Sequence, residues 1–243
     1  MLGIIFALPE EVNTLLKELF TNKYTHLINN KKFYIVKTIN EQSVIITFSG
    51  VGKVNAASTC ALLINNFKID KCINIGSCGG LLNVKPLDIL LIDKTIYGDV
   101  DATAFGYEIN QIPKMPSFYV TNENLNNSII KILSLSNYEY KLGYCYTCDS
   151  FVNKTNFDKF NIDLKSNIVS GIDMECCAIA QVCSNMNIKF SAIKIVSDVL
   201  QGNNSSEKQF DNNIVKIAEM IDTLTYNIVQ AISYEEENDN SKS

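Results

Sequence analysis

Acidic side chains in this sequence follow apolar, β-branched runs, at the points where strands of an α/β fold would end. Asp173 and Glu175 come directly after the run 168–172, and apolar residues recur at helical spacing behind Glu175. A strand end that opens onto a helix N-terminus is where α/β folds bind ligands, although negative charge there also complements the helix dipole. Capping suffices to explain Asp173. Glu175 precedes a helix of small apolar residues, where a buried carboxylate requires a polar ligand or partner.

Two further strand ends carry acidic side chains. The run 190–196 ends in Ser197 and Asp198, and the run 3–8 is followed by Pro9 and Glu11. Proline is typical of the first position of a helix, so Glu11 falls in a first turn, where acidic residues are ordinary complements of the dipole. Spacing alone therefore leaves both capping and chemistry open for Glu11, and the proximity of these carboxylates is a hypothesis.

Two glycine-rich segments also follow predicted strands. The segment Ser49–Asn55 opens a predicted helix, but it fails both familiar phosphate-binding signatures, since position 55 is not glycine and Lys53 is not followed by serine or threonine. The cluster Gly76–Gly80 follows the strand predicted over 71–75. Glycine allows the backbone to approach a ligand or a neighbour closely, and a tight turn explains the second cluster equally well.

The elements that must position these residues alternate between strand and helix patterns, which predicts an α/β sandwich. The runs 32–39 and 43–48 predict a hairpin, and a helix is predicted over 207–232. The long segment 97–117 has no regular pattern and is predicted to be a lid or an oligomer contact. We expect one domain over 1–233, followed by an acidic tail, 234–243, which lacks an apolar face and is predicted to be disordered.

The composition excludes several classes of partner. The chain has 243 residues, 47% hydrophobic and 19% charged, with a net charge of −5, which is typical of a soluble globular protein. All 21 basic residues are lysine, so we expect no nucleic-acid partner. No apolar run approaches membrane-spanning length and the N-terminus does not resemble a signal peptide, so no membrane association is expected.

Metal and redox chemistry find little support in the sequence. His26 is the single histidine and lies in a polar stretch, where a surface position is expected. Most of the eight cysteines lie in apolar runs, where a free cysteine packs as a small hydrophobe, which indicates a reducing cytoplasm. Cys145 and Cys148 have the spacing of a redox or zinc pair, but they lack a second pair and lie on a predicted strand, which favours a structural role.

Taken together and in order, the motifs resemble those of one enzyme family. They are Ala7–Glu11, Ser49–Lys53, Gly76–Gly80, Thr103–Tyr107, Asp173–Glu175 and Val196–Asp198. This set resembles the 5′-methylthioadenosine/S-adenosylhomocysteine nucleosidases of the nucleoside phosphorylase superfamily, over nearly the whole chain. The resemblance implies a three-layer sandwich with a central mixed β-sheet flanked by helices. It also implies a cytoplasmic homodimer that hydrolyses 5′-thio-substituted adenosines, and also 5′-deoxyadenosine, in methionine salvage and nucleoside catabolism, with no metal or organic cofactor.

The resemblance implies how the reaction proceeds. Asp198, held by Ser197, protonates adenine at N7, and Glu11 orients or deprotonates the attacking water. Adenine leaves poorly as an anion, and a positioned acid is worth roughly 10²–10⁴-fold in rate. The ribosyl centre gains oxocarbenium character, and a carboxylate on its opposite face can activate water. Asp198 must therefore have a raised pKa, which burial at a strand end can produce.

The resemblance also assigns residues to each part of the nucleoside. The residues implied to contact the ribose are Ser77, Met174 and Glu175. Those implied to hold adenine are Phe151, by stacking, and Val152, through its backbone. Those implied to line the 5′-alkylthio pocket are Leu8, Val51 and Phe210, with Phe105 and Pro113 contributed by the partner subunit.

The chain departs from the family pattern beside the ribose site. Asp173 stands where the family has glutamate, and Lys194 stands where it has arginine. Lys194 is expected to pair with Glu175, as a point charge rather than as a planar fork. Weaker ribose orientation or an altered pocket is expected, rather than loss of the chemistry, because Glu11 and Asp198 are both present.

Three other functions remain open from the sequence. A nucleoside phosphorylase shares the fold and the acid, but the chain has no arginine for a phosphate site, and Glu11 would repel phosphate. A nucleoside-binding protein without catalysis is disfavoured by the presence of both Glu11 and Asp198. Hydrolysis of a related nucleoside such as aminofutalosine cannot be separated from the main hypothesis by sequence.

Overall fold

Apolar, β-branched runs form the strands of one large sheet, as their composition predicts. The computed structural model describes residues 1–12, 24–38, 42–200 and 205–240. The strands are β1 (Leu2–Phe6), β2 (Tyr24–Ile28), β3 (Lys31–Lys37), β4 (Ser43–Phe48), β5 (Lys71–Leu82), β6 (Ile89–Tyr97), β7 (Tyr119–Val120), β8 (Tyr140–Thr147), β9 (Ser170–Asp173) and β10 (Lys189–Val199). The helices are α1 (Lys53–Phe67), α2 (Glu123–Leu135), α3 (Cys176–Asn185) and α4 (Ser206–Asn240), and short 3-10 turns cover Pro9–Glu11, Thr103–Phe105 and Phe157–Lys159.

The long strand β5 organises the sheet. On one edge it pairs with β1 along residues 71–74, in parallel, and with β9 along residues 79–82, antiparallel. Its other edge pairs in parallel with β10. The two partners on the first edge separate along the middle of β5, and this separation opens the sheet where the predicted site residues lie.

The strands around β5 close into a ring. β10 pairs with β6, β6 with β8, β8 with β9, and β9 returns to β5. On the other side, β1 continues the sheet through β4, β3 and β2, with β3 and β4 forming the predicted antiparallel hairpin. The sheet therefore mixes parallel and antiparallel pairs, as predicted.

The sheet buries one apolar core on each face. The neighbouring residues Ile4 and Ile5 of β1 belong to different cores, because successive side chains of a strand point to opposite faces. One core includes apolar side chains of α2 and α4, and the other includes those of α1 and α3. This arrangement confirms the prediction of a central mixed sheet flanked by helices.

Several element boundaries differ from the sequence predictions. The cluster Gly76–Gly80 lies inside β5 rather than in a turn after it, and Ser197 and Asp198 lie inside β10 rather than beyond it. Glycine runs resemble turns locally, but here the backbone stays extended because β10 pairs with it. The last helix continues to Asn240, beyond the predicted end near Ile232 and into the tail segment for which disorder was predicted. The division between a domain over 1–233 and a tail stays a prediction.

Two other predictions concern the region before β5. The helix predicted behind Pro9 begins as the 3-10 turn Pro9–Glu11, and the rest of its predicted span lies outside the described residues. His26 lies on β2, which the sequence did not predict, and its side chain is on the surface as expected. Its ring contacts Phe67 edge to face.

Candidate active site

One pocket collects most of the predicted site residues at the gap beside β5. Its wall is formed by Ala7, Leu8, Glu11, Val51, Ser77, Cys78, Gly79, Ser150, Phe151, Val152, Ile172, Asp173, Met174, Glu175, Ser197, Asp198 and Phe210. Its four carboxylates, Glu11, Asp173, Glu175 and Asp198, are all buried. A mostly apolar pocket with convergent carboxylates is typical of an active site.

Glu11 is fixed by hydrogen bonds to both of its carboxylate oxygens. The backbone amides of Ala7 and Leu8 donate to Oε2, at 3.0 and 3.1 Å. The backbone amide and hydroxyl of Ser77 donate to Oε1, at 2.9 and 3.0 Å. These donors come from the end of β1 and from the stretch of β5 between β1 and β9. The carboxylate is thus held rigidly at the opening of the sheet.

Gly76 makes room for Glu11. A Cβ atom at position 76 would lie 2.8 Å from Oε1 of Glu11, closer than real Cβ contacts. Glycine at position 76 is therefore explained by the close approach of the strand to a carboxylate. Its position inside a strand excludes the tight turn that the sequence left open.

Asp198 lies near the end of β10, on the opposite edge of β5 from β9. The hydroxyl of Ser197 donates to Asp198 Oδ1 at 2.6 Å and also lies 3.1 Å from the carbonyl oxygen of Cys78. Ser206, at the start of α4, forms a hydrogen bond with the same carboxyl group. Burial raises the pKa of Asp198, and the two serine hydroxyls offset part of that rise. The carboxyl group is thereby suited to carry a proton.

The strand that carries Asp198 is held by one face of α4. The side-chain amide of Gln209 donates to the carbonyl oxygen of Val199 and accepts from its backbone amide, at 3.2 and 3.1 Å. Asn213 donates to the carbonyl oxygen of Ser197 at 2.7 Å. The sequence analysis missed these residues, although Ser206, Gln209 and Asn213 recur at the spacing of one helix face.

Glu175 precedes the first turn of α3 and accepts a hydrogen bond at Oε1 from the backbone amide of Gly52, at 2.8 Å. Burial and the neighbouring Asp173 carboxylate raise the pKa of Glu175 to about 7, while the Lys194 ammonium and the Gly52 amide oppose that rise. Glu175 can therefore change its charge near neutral pH. The glycine loop before α1 thus serves the site through its backbone, which the sequence left open.

Lys194 pairs with Asp173, whereas the sequence predicted a pair with Glu175. Lys194 Nζ lies 2.8 Å from Asp173 Oδ2, and Asp173 also accepts from the Thr147 hydroxyl and the Cys176 amide, at 2.7 and 2.9 Å. Burial is the largest single influence and disfavours the Lys194 ammonium, but the Asp173 carboxylate, together with the neighbouring Cys176, Cys145 and Glu175, outweighs burial and raises the pKa of Lys194. Glu175 instead accepts a hydrogen bond from the Gly52 amide.

The remaining predicted residues divide into two sets. Within one chain, the pocket wall brings together Leu8, Val51, Ser77, Phe151, Val152, Met174 and Phe210, and their contacts with a nucleoside stay a prediction. Phe105 and Pro113 lie away from this wall, and both are exposed, Phe105 by 83%. Their assignment to a partner subunit stays a prediction.

Two groups of buried side chains have the ligand types of a metal site. Cys60, Cys72 and Cys183 converge with their sulfur atoms within 4.8 Å of one another, and Cys145 converges in the same way with Asp173 and Cys176. The first group lies in the apolar core between α1 and α3. In the second, Asp173 already binds the Lys194 ammonium, which would repel a metal ion. All eight cysteines are free and buried, as expected of small core residues.

Among the described residues, we find no helix with the length and apolar character needed to cross a membrane.

Comparison with known proteins identifies similar chains. The family model described as the phosphorylase superfamily matches residues 1–231. A 5′-methylthioadenosine/S-adenosylhomocysteine nucleosidase of Staphylococcus aureus strain Newman is 38% identical over 221 residues, which cover 90% of this chain and 94% of the relative.

Solved structures of the same kind superpose over most of the chain. The S-adenosylhomocysteine nucleosidase of Streptococcus pyogenes, in complex with 5-methylthiotubericidin, has a TM-score of 0.83 and 29% identity, covering 94% of this chain and 95% of that one. The nucleosidase of Colwellia psychrerythraea, in complex with adenine, has a TM-score of 0.81 and 31% identity, covering 94% and 93%.

Proposed function

The chain belongs to the 5′-methylthioadenosine/S-adenosylhomocysteine nucleosidase family of the phosphorylase superfamily, and we propose that it hydrolyses the N-glycosidic bond of these two nucleosides. The products are adenine and the 5-substituted ribose. The observation that carries the proposal is the convergence of Glu11, Glu175 and Asp198 in one pocket, each with different hydrogen-bond partners.

Asp198 acts as the acid that protonates adenine at N7. Its burial raises its pKa, and the two serine hydroxyls hold the carboxyl group in place. Protonation lets adenine depart as a neutral base, and the bonding electrons of the N-glycosidic bond go to the base. A positioned general acid supplies roughly 10²–10⁴-fold in rate.

Glu11 accepts a proton from the attacking water. Because both of its oxygens are held by donors from the ends of β1 and from β5, the carboxylate cannot turn away from the pocket. Water then adds to the ribosyl carbon that adenine leaves, whose oxocarbenium character a carboxylate stabilises. Fixed orientation of this kind lowers the entropic part of the barrier.

Glu175 accepts hydrogen bonds from the ribose hydroxyls. Apolar side chains contact the two ends of the nucleoside, adenine and the 5′-thio group. Phe151 and Val152 follow β8 and bind adenine, while Leu8, Val51 and Phe210 surround the 5′-thio group. Met174 and Ser77 complete the ribose contacts. The proposed reaction requires only water as co-substrate, and none of its steps requires a cofactor.

Water is favoured over phosphate as the nucleophile. A phosphorylase must hold a dianion where Glu11 stands, and the chain offers no arginine for that purpose. The Glu11 carboxylate in the pocket wall opposes phosphate at this position by like-charge repulsion. A homodimer with Phe105 and Pro113 reaching the partner's pocket, a cytoplasmic location, a place in methionine salvage and turnover of 5′-deoxyadenosine belong to the same proposal.

The decisive experiment measures adenine release from 5′-methylthioadenosine in phosphate-free buffer and again with added phosphate. Equal rates in the two buffers are the expected result. A requirement for phosphate would make the protein a phosphorylase and contradict the role given to Glu11. Binding of the nucleoside without adenine release would show that the protein is a nucleoside-binding protein without catalysis.

A further inference from the structure

We propose that Lys53 is a positioning residue, which fixes the adenine-binding segment Phe151–Val152 relative to the ribose-binding carboxylate of Glu175. This inference rests on the proposed function, since it names a residue that shapes the same pocket. Lys53 is outside the pocket wall. In the sequence it ends the Ser49–Lys53 motif and fails a phosphate-binding signature, and neither observation gave its side chain a role.

The ammonium of Lys53 binds the loop that follows β6. Its Nζ lies 2.8 and 2.9 Å from the two carboxylate oxygens of Asp99, and 3.7 Å from Asp149 Oδ2. It also lies 5.3 Å from the centre of the Tyr97 ring, at cation–π distance. The Lys53 and Asp99 side chains are only 22% and 18% exposed, unlike a typical surface ion pair.

The same residues also bind through the backbone, which closes a network around the loop after β8. The backbone amide of Lys53 donates to Asp149 Oδ1, and the backbone amide of Asp149 donates to Asp99 Oδ2, both at 2.8 Å. Lys53, Asp99 and Asp149 therefore join the start of α1 to the loops after β6 and β8. Phe151 lies two residues after Asp149, so this network fixes the position of the first residue of the adenine-binding segment.

Two consecutive backbone amides link the two halves of the nucleoside pocket. The amide of Gly52 donates to Glu175 Oε1, and the next amide, that of Lys53, donates to Asp149 Oδ1. Gly52 has φ of +98°, and a Cβ atom there would lie 3.2 Å from Asp149 Oδ1. The distance between the ribose carboxylate and the adenine segment is thus set by this one turn, and the Lys53 side chain holds the turn against both loops.

The test compares Lys53→Met with the wild-type enzyme. Methionine removes the charge and keeps an unbranched apolar side chain, so we expect a KM for 5′-methylthioadenosine raised about tenfold, with kcat changed less than about threefold, because the adenine contacts act in ground and transition states alike. The inhibition constant for adenine should rise by the same factor. Lys53→Arg, which keeps the cation, should restore most of the affinity.

Lys141→Met is the matched control. Lys141 Nζ lies 2.7 Å from Asp88 Oδ2, in an ion pair near the beginnings of β6 and β8 rather than near their ends. Loss of this ion pair in Lys141→Met should leave the KM for 5′-methylthioadenosine and the inhibition constant for adenine unchanged. A Lys53→Met enzyme whose KM and adenine constant stay within twofold of the wild type would overturn the proposal, even if its melting temperature falls.

Wild-type turnover in phosphate-free buffer tests the proposed function separately. If the wild type releases no adenine, calorimetric binding of adenine to wild type and to Lys53→Met still tests the network. A weaker affinity in the variant alone would support the positioning role, and equal affinity, or no binding to either protein, would contradict it.

Discussion

The ammonium of Lys194 and the carboxylate of Asp173 form an ion pair of 2.8 Å in which each side chain is only 2% exposed. Glu175 accepts a hydrogen bond from the Gly52 amide instead and lines the pocket beside Asp173. The other carboxylate oxygen of Asp173, Oδ1, accepts a hydrogen bond from the Thr147 hydroxyl. The two positions at which the sequence departs from the pattern that it resembles therefore bind each other, a short acid with a compact cation.

Breaking this pair should destabilise the fold strongly. Lys194→Met leaves the Asp173 carboxylate buried without its cation, and removal of one partner of a buried pair costs about 3–5 kcal/mol. The double variant Lys194→Met with Asp173→Asn should recover a large part of that loss, since no uncompensated charge remains. Urea unfolding of the two variants and the wild type measures the difference. Equal stabilities of single and double variants would show that the pair is not coupled.

Removal of the proposed acid should abolish turnover without unfolding the protein. Asp198→Asn keeps the size of the side chain but cannot deliver a proton, so kcat should fall by about 10²–10⁴-fold. In the wild type, kcat should fall as the pH rises through the raised pKa of Asp198, because the protonated form is then lost. Steady-state assays across pH, with thermal melts beside them, check both statements. An Asn variant with wild-type kcat would assign the proton to another group.

Gly76→Ala should disable Glu11 through geometry alone. The new Cβ would meet Glu11 Oε1 at 2.8 Å and displace the proposed base, and a misplacement of about 1 Å can cost on the order of 10²-fold in rate. Gly3→Ala is the control, because its Cβ would meet Ile69 Cδ1 and Leu63 Cδ2 in the core, both at 2.7 Å, and not Glu11. Overpacking a core costs about 1–3 kcal/mol, so this variant should be less stable with no loss of kcat. Similar kcat values for the two variants would contradict the argument.

The ionisation of Glu175 should make stability depend on pH. Its pKa rises from 4.5 to about 7 on folding, so the folded protein binds the proton more tightly than the unfolded chain. The contribution to stability is present below about pH 4.5 and is lost as the pH rises through 7, a loss on the order of 3 kcal/mol.

Glu175→Gln removes this contribution. The variant should therefore be more stable than the wild type at pH 8, while the two should converge near pH 4.5. It should also lose affinity for the nucleoside, since an amide accepts the ribose hydroxyls less strongly than a carboxylate. Melting temperatures at the two pH values measure the first effect. A constant difference between the proteins at both values would contradict the assigned cause.

Local pattern was sufficient to predict most elements of the fold. Strand runs with β-branched residues identified β1, β3, β4, the first part of β5, β9 and β10, because such residues favour pleated, buried backbone. The sequence pattern failed where hydrogen bonding to a neighbouring strand overrides the preference of the local residue types. Gly76–Gly80 resembles a turn by its residue types, but its pairing with β10 keeps it extended. The reason for Gly76 is the approach of Glu11, which lies 65 positions away in sequence.

The sequence by itself determined which side chains could do chemistry, since strand ends followed by Glu11, Glu175 and Asp198 are visible in the order of residue types, and the motif set resembled one family. Only the tertiary structure decided the partners of those side chains. Lys194 binds Asp173 rather than Glu175, Gln209 and Asn213 hold the strand of Asp198, and Lys53 joins two loops. The physical reason is that hydrogen bonds and ion pairs act over a few ångströms, and those distances are set by the packing of elements that are remote in sequence.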